Sequence, residues 1–247
     1  MKNENRNSKN VSNLIFGRNT VLASLNENQV KTIYLQDRFS EPKILKQIEN
    51  KKLKPIYLSL DEMNKKCNYG NHQGVIAVVK EYEYSSLEEI IRCAENKENP
   101  LILILDEVED PHNLGAILRS CDAFSVDGII IKNRNQVQVN STVAKVSTGA
   151  INYVKVAQVS NLTSTIKRLK DAGYWVYSAD GSGKENYDKQ NYKGKTVLVM
   201  GSEGQGISKI VLDNSDFVMK IPMTGHVNSL NVSVATGIIL AMIRSLQ

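Results

Sequence analysis

The runs PLILILD (100–106), GIIIK (128–132) and KTVLVM (195–200) are short and almost unbroken in apolar residues. A strand that is apolar at every position has no face to give to water, so it must be covered on both sides. Between and after these runs come segments with helical apolar spacing at 113–124, at 161–172, near 206–213 and from 231 onward. Further strand-like runs are NYVKVAQ, YWVYSAD and DFVMKIP. Short buried strands alternating with helices predict an α/β fold, a parallel sheet with helices on both faces. Periodicity by itself points to an ordinary doubly wound sheet.

The pattern before residue 80 is different. GRNTVLASLNE, EPKILKQIENKK and DEMNKKC read as helices, and VKTIYLQ, KPIYLSL and GVIAVVK as strands, which together make a smaller α/β unit. The expected organisation is a disordered polar leader over 1–13, a first domain over 14–80, a linker and first helix over 81–99, and a second domain over 100–247. Charge divides at the same place. Residues 1–80 hold 14 lysines and arginines against 7 aspartates and glutamates, a net of +7. The remainder holds 17 against 19, a net of −2. A basic first third attached to a near-neutral body suggests a module that meets a polyanion, although a solvated lysine-rich face would look the same.

Other classes find no support. The longest apolar runs fall well short of the ~18 residues a membrane span needs. The polar start MKNENRNSKN lacks the apolar core of a signal peptide. Cys67, Cys93 and Cys121 are odd in number and show no CxxC spacing, and His72, His112 and His226 are scattered. Reduced thiols, no structural metal, no membrane and a cytoplasmic location are therefore expected.

Ligands of parallel α/β sheets bind beyond the carboxyl ends of the strands, and three loops there are unusually polar. In DEVEDPHNLGAILRSCDAF, Pro111 suits a first helical turn and Asn113 lies where a cap or a ligand contact forms. The stripe Leu114, Ile117, Leu118, Cys121 and Phe124 leaves Arg119 on the polar side, where pairing with Asp122 would be the plain outcome. VLVMGSEGQGIS carries Gly201, Gly204 and Gly206 between a strand and a helix. Its GxxGxG spacing is neither a dinucleotide fingerprint nor a P-loop, and a tight turn would explain it, yet a turn has no need of Glu203. In IPMTGHVNSLNVSVATGI, Ser229 is the expected cap of the last helix, whose apolar residues face nearly all directions. Capping leaves Asn228, Asn231 and Ser233 unexplained.

Together, in this order and spacing, the three loops resemble the motifs of the SpoU (TrmH) family of RNA 2′-O-ribose methyltransferases, in the SPOUT superfamily. The first 80 residues, with NHQGVIAVV at 71–79, are similar to the small substrate-binding domain of bacterial 23S rRNA (guanosine-2′-O-)-methyltransferases, itself similar to a class of RNA-binding ribosomal proteins. The resemblance implies a SPOUT-type sheet with a trefoil knot at its carboxyl end, a homodimer, and S-adenosyl-L-methionine held in the knotted loops. The implied partner is RNA, 23S rRNA or the assembling large subunit.

The same resemblance implies residue roles. Arg119 would activate the ribose 2′-OH, Asn113 would orient the ribose or Arg119, and Glu203 would position Arg119 or a substrate group. Ser229 and Asn231 would line the junction of cofactor and target nucleotide. Gly201, Ile221, Met223 and Leu230, with Thr148, Gly149 and Ala150, would hold the cofactor, and Arg18, His72 and Gln73 would contact RNA. A tRNA ribose methyltransferase and a non-catalytic ribosome-assembly protein are the alternatives. A Rossmann oxidoreductase would need an early GxGxxG that is absent.

Overall fold

The computed structural model describes residues 14–247 except Glu27 and Glu81, so the leader expected over 1–13 lies outside the described residues. The chain divides into a unit ending at Tyr82 and a unit spanning Glu83–Gln247.

The first unit contains β1 (Leu14–Phe16), α1 (Arg18–Asn26), β2 (Val30–Gln36), α2 (Pro42–Asn50), β3 (Ile56–Leu58), α3 (Leu60–Lys66) and β4 (Val75–Val79). Its sheet runs in the order β1-β4-β2-β3, antiparallel except for the β2–β3 pair. Val21 and Leu25 of α1, Ile44 and Ile48 of α2, and Ile33, Leu35 and Ala77 of the sheet form its core. Helix starts follow from local chemistry. Pro42 occupies the first turn of α2, where its missing N–H costs nothing. Ser59 and Glu62 close a reciprocal capping box on α3.

The second unit opens with α4 (Leu87–Ala94), β5 (Leu101–Leu105), α5 (Pro111–Ala123), β6 (Gly128–Lys132), α6 (Ser141–Val146), β7 (Val156–Val159), α7 (Leu162–Asp171) and β8 (Trp175–Ala179). It continues with β9 (Glu185–Asn186), β10 (Thr196–Met200), α8 (Lys209–Leu212), β11 (Phe217–Lys220) and α9 (Val232–Leu246), plus two short 3-10 turns. Seven strands lie in the order β7-β6-β5-β10-β8-β11-β9, and every pair is parallel. Ile102 and Ile104 of β5 and Val197 and Val199 of β10 pack with Leu87, Ile90, Leu162, Ile166 and Val211 from α4, α7 and α8. The alternate residues Leu101, Leu103, Leu105 and Leu198 are also fully buried, and period two sends them to the opposite face. Both faces are thus covered, and each such aliphatic side chain contributes about 1.5–3 kcal/mol on burial.

The expected helix from 231 is α9, with Val232, Ile239, Leu240 and Ile243 buried. Its burial is one-sided, however. Val234 is 50% exposed, Ile238 36% and Leu246 40%, so a stripe of apolar side chains faces away from the chain's own core. On the packed side, Gly237 sits over Ser120 of α5. Arg244 ties the two helices by donating to the carbonyls of Phe124 (2.8 Å), Ser125 (2.6 Å) and Asn99 (2.9 Å).

Candidate active site

The loops after β8, β10 and β11 and the first turn of α9 enclose a cavity of about 630 Å3. Four of the seven expected cofactor residues, Gly201, Ile221, Met223 and Leu230, line it, together with Glu203, Ser229 and Asn231. The loop after β8, Ala179 to Gly181, lines it too and is absent from the sequence reading. Its signal was available: the small residues of SADGSG follow an apolar strand, the same strand-end rule that singled out the other loops.

The glycine loop after β10 is a closed turn. Ser202 and Gly206 exchange two backbone hydrogen bonds, each of 3.1 Å. Gly206 adopts φ +69°. A Cβ on Gly201 would lie 2.2 Å from the Gly206 carbonyl group, so only glycine closes the turn at that position. Asp180 faces the same turn. Its partial burial would raise the carboxyl pKa, but donors from the Ser182 side chain and amide and from the Ile207 amide outweigh that and hold it below the ordinary aspartate value.

Glu203 leaves this turn and meets two other segments. Its Oε1 accepts from Asn113 Nδ2 at 3.2 Å, from Asn231 Nδ2, and from the Val232 amide at 3.3 Å. Asn231 Nδ2 also donates to Asn113 Oδ1 at 2.9 Å. Three residues separated by as many as 118 positions thus form one hydrogen-bonded triad, of which Glu203 and Asn231 line the cavity. The positive end of α9 favours the carboxylate there. Oε2 of Glu203 has no partner among the described residues and remains free for a ligand.

Three expectations need correction. Asn231, not Ser229, caps α9: its Oδ1 accepts from the Ser233 amide (3.0 Å) and hydroxyl (2.6 Å) and from the Val234 amide (3.4 Å). The helix begins two residues later than a Ser229 cap requires, and Ser229 is exposed in the cavity lining. Neither Glu203 nor Asn113 holds Arg119 within the chain. Arg119 is exposed on α5 with no hydrogen bond or ion pair among the described residues, and Asp122 does not pair with it. Six residues along a helix place it ~9 Å and about 120° round from Asn113. Asn113 is a buried member of the triad rather than a cap; Asp110 caps α5 through the His112 amide.

Thr148, Gly149 and Ala150 are outside the cavity lining. They form the turn after α6, where Thr148 and Gly149 have positive φ. In the first unit, Arg18 and Gln73 are joined, the Arg18 amide and Nε donating to Gln73 Oε1 (2.9 Å) and carbonyl (3.3 Å). His72 is engaged within its own unit. It is buried, its Nδ1 accepts from the Gly74 amide at 3.0 Å, and its Nε2 faces Asn64 Oδ1 at 3.2 Å. Those partners fix the Nε2–H tautomer.

Residues 100–241 match the SpoU rRNA Methylase family, and residues 14–85 match the RNA 2′-O ribose methyltransferase substrate-binding family. A Staphylococcus haemolyticus relative named for the TrmH family of tRNA/rRNA methyltransferases is 42% identical over 231 residues, covering 92% of this chain and 93% of its own. A Bacillus subtilis relative named for the same family is 47% identical over 172 residues, 69% of each chain. Among solved structures, the AdoMet-bound rRNA methyltransferase of Sinorhizobium meliloti is 25% identical and superposes with a TM-score of 0.66, covering 94% of this chain and 86% of its own. The SpoU methyltransferase AviRb of Streptomyces viridochromogenes, in complex with AdoMet, is 22% identical and shares the fold at a TM-score of 0.66, with 94% and 89% covered. With both units matched and the loop triad in place, the chain belongs to the SpoU rRNA Methylase family, the SpoU/TrmH group of RNA methyltransferases.

Proposed function

We propose that this chain transfers a methyl group from S-adenosyl-L-methionine to a ribose 2′-hydroxyl of structured RNA, with a guanosine of 23S rRNA as the target. The observation that carries this reading is the Asn113–Glu203–Asn231 triad, of which Glu203 and Asn231 line the strand-end cavity. The lining suits the cofactor. Ile221, Met223 and Leu230 offer apolar surface to an adenine, and a Cβ at Gly181 or Gly204 would meet nothing within 4 Å, so the main chain is open to a ligand there. When bound, the sulfonium supplies an already activated methyl group.

The protein is left to position the ribose oxygen and ease the loss of its proton. Glu203 and the two asparagine amides supply fixed acceptors and donors for that purpose. A guanidinium keeps its proton at neutral pH, so Arg119 serves as a two-pronged phosphate clamp that also stabilises the developing negative oxygen. Arg119 has no partner among the described residues, and Val234, Ile238 and Leu246 of α9 are exposed. Both features support a homodimer in which this face meets a second copy. The packing of α9 back onto α5 agrees with the trefoil-knot path that the family resemblance implies, and the cytoplasm is the matching location.

The test is transfer of labelled methyl from S-adenosyl-L-methionine to 23S rRNA and to tRNA, followed by nuclease digestion to nucleosides. Label in 2′-O-methylguanosine from 23S rRNA is the expected result. Label in a methylated base, or none in any RNA, overturns the reading; label in tRNA alone moves the substrate.

A further inference from the structure

A second cavity, of about 440 Å3, opens on the first unit where the end of β2, the start of α1 and the loop entering β4 come together. We propose that it receives a single unpaired guanine swung out of the RNA, a contact separate from the nucleotide that is methylated. This rests on the reading of the chain as an RNA methyltransferase.

Four features of the cavity argue for a base rather than a phosphate or a helix. Its size is near the lower end for ligand sites, about right for one nucleotide and too small for a duplex. Phe39 forms a wall. Its ring lies directly on Gly74, where an added Cβ would come within 2.9 Å of the ring, so its position is set from below. The Arg18 guanidinium sits 5.8 Å from the Phe39 centroid and is steadied by Glu41 at 3.4 Å and by the Gln73 carbonyl. The guanidinium lies over the ring, so the base settles on the outer face of the guanidinium, as unstacked RNA bases do on arginine planes. The floor is rigid, because the buried His72 ring is held through Asn64 and the Gly74 amide.

The third feature is a pair of uncommitted charges. Asp37 and Arg38 line the cavity, both exposed, and neither side chain has a hydrogen bond or ion pair among the described residues. Arg38 also holds φ +62°, and Gln73 across the cavity +51°. Strained non-glycine backbone of this kind gathers at ligand clamps. A carboxylate repels phosphate, so a site built only for the RNA backbone gains nothing from Asp37. The fourth feature is what a carboxylate can accept. It has two acceptor oxygens and no donor. Guanine alone places two N–H donors side by side on its Watson–Crick edge, at N1 and the 2-amino group. Adenine and cytosine set one donor beside an acceptor, and uracil flanks its single donor with carbonyls. Asp37 then reads the base, Arg18, backed by Phe39, stacks on it, and Arg38 takes the phosphate.

The experiment uses the full chain and labelled RNA hairpins that share one stem and differ in a single bulged nucleotide: guanine, inosine, adenine, cytosine or uracil. Binding is followed by fluorescence anisotropy, and cofactor binding by calorimetry with S-adenosyl-L-methionine. The guanine bulge is expected to bind about ten-fold tighter than the adenine bulge, the gain of one bidentate base contact, with inosine between them because it lacks the 2-amino group. Asp37→Asn is expected to reduce that preference to under about three-fold without changing cofactor heat or melting temperature. Arg38→Ala weakens all five hairpins alike. Equal binding of the five bulges by the wild type, or a preference that survives Asp37→Asn, overturns the proposal. Cofactor binding with no hairpin binding overturns the RNA reading and this site together. A guanine preference without cofactor binding supports the site and overturns only the methyl-transfer reading.

Discussion

Asn231 uses both ends of one amide. Its oxygen caps α9, and its nitrogen donates into the triad. Substitutions separate the two roles. Asn231→Ala loses both, and the cap alone is worth about 1 kcal/mol. Asn231→Asp keeps the cap but turns the donor into a second carboxylate facing Glu203. The expected outcome is a loss of stability at neutral pH that shrinks as the pH falls and one of the two carboxyls takes up a proton, with methyl transfer down by at least about ten-fold. Ser229→Ala, at a site that does not cap, should stay within about 0.5 kcal/mol of wild type, and a larger loss in a urea melt would return the cap to Ser229. Arg119→Ala should likewise leave the melt unchanged while transfer falls by about a hundred-fold or more. Nearly full activity in Arg119→Lys would rule out fork-shaped phosphate recognition. Asp180 adds a pH dependence. Its folded pKa lies below the unfolded value, so its contribution is present above the ordinary aspartate pKa of about 3.9 and is lost as pH falls below it. Asp180→Asn should therefore lower stability across the neutral region, flatten the acid limb of the profile and match wild type at the lowest pH. These residues were legible to different degrees. Glu203 and Asn231 stood out as polar groups with no local need. The partners that explain them lie 90 and 118 residues from Asn113, a pairing that no local pattern encodes.

At the scale of elements, the glycine loop after β10 looked weak as a pattern and is tightly constrained as a structure. Gly201→Ala places a methyl against the backbone of Gly206, and neither side of that contact is a flexible side chain. The loop must open, so S-adenosyl-L-methionine binding by calorimetry should be abolished. Gly204→Ala meets no atom within 4 Å and carries only the strain of φ +92°. That costs about 1 kcal/mol and should leave measurable binding. Equal effects of the two would mean that the loop is not held as described. The long elements are legible because burial on one face repeats over many residues, as in α5 and α7. β1 with three residues, β9 with two and α6 with six are not, since alternation needs about four residues and helical spacing about ten or more to register. Nor does the sequence show that α9 is open on one side. Composition reports that a helix is apolar, but not whether its outer face meets its own chain or another.

At the scale of the whole molecule, the two units have separate apolar cores and unequal charge. The break near residues 80–85 was visible because periodicity and charge change there together. A trefoil knot, which the family resemblance implies, would leave no periodic trace, and general topology rules disfavour it. The charge division leads to a prediction about function. Residues 1–80 carry a net +7 and the remainder −2, whereas the cavity lined by Gly201, Ile221 and Leu230 belongs wholly to the second unit. RNA affinity that comes from phosphate neutralisation falls linearly with the logarithm of salt concentration, with a slope close to the number of phosphates neutralised. A protein comprising residues 83–247 should therefore bind S-adenosyl-L-methionine with a dissociation constant within about three-fold of the full chain, since the cavity and its supporting core are intact. Its RNA affinity should fall by at least about ten-fold at physiological salt, and the slope of log Kd against log salt should flatten by two or more phosphates. An unchanged slope would place RNA binding on the second unit and deprive the basic first unit of its role. Loss of cofactor binding on truncation, with the melt of residues 83–247 still cooperative, would instead mean that the first unit supports the cavity directly.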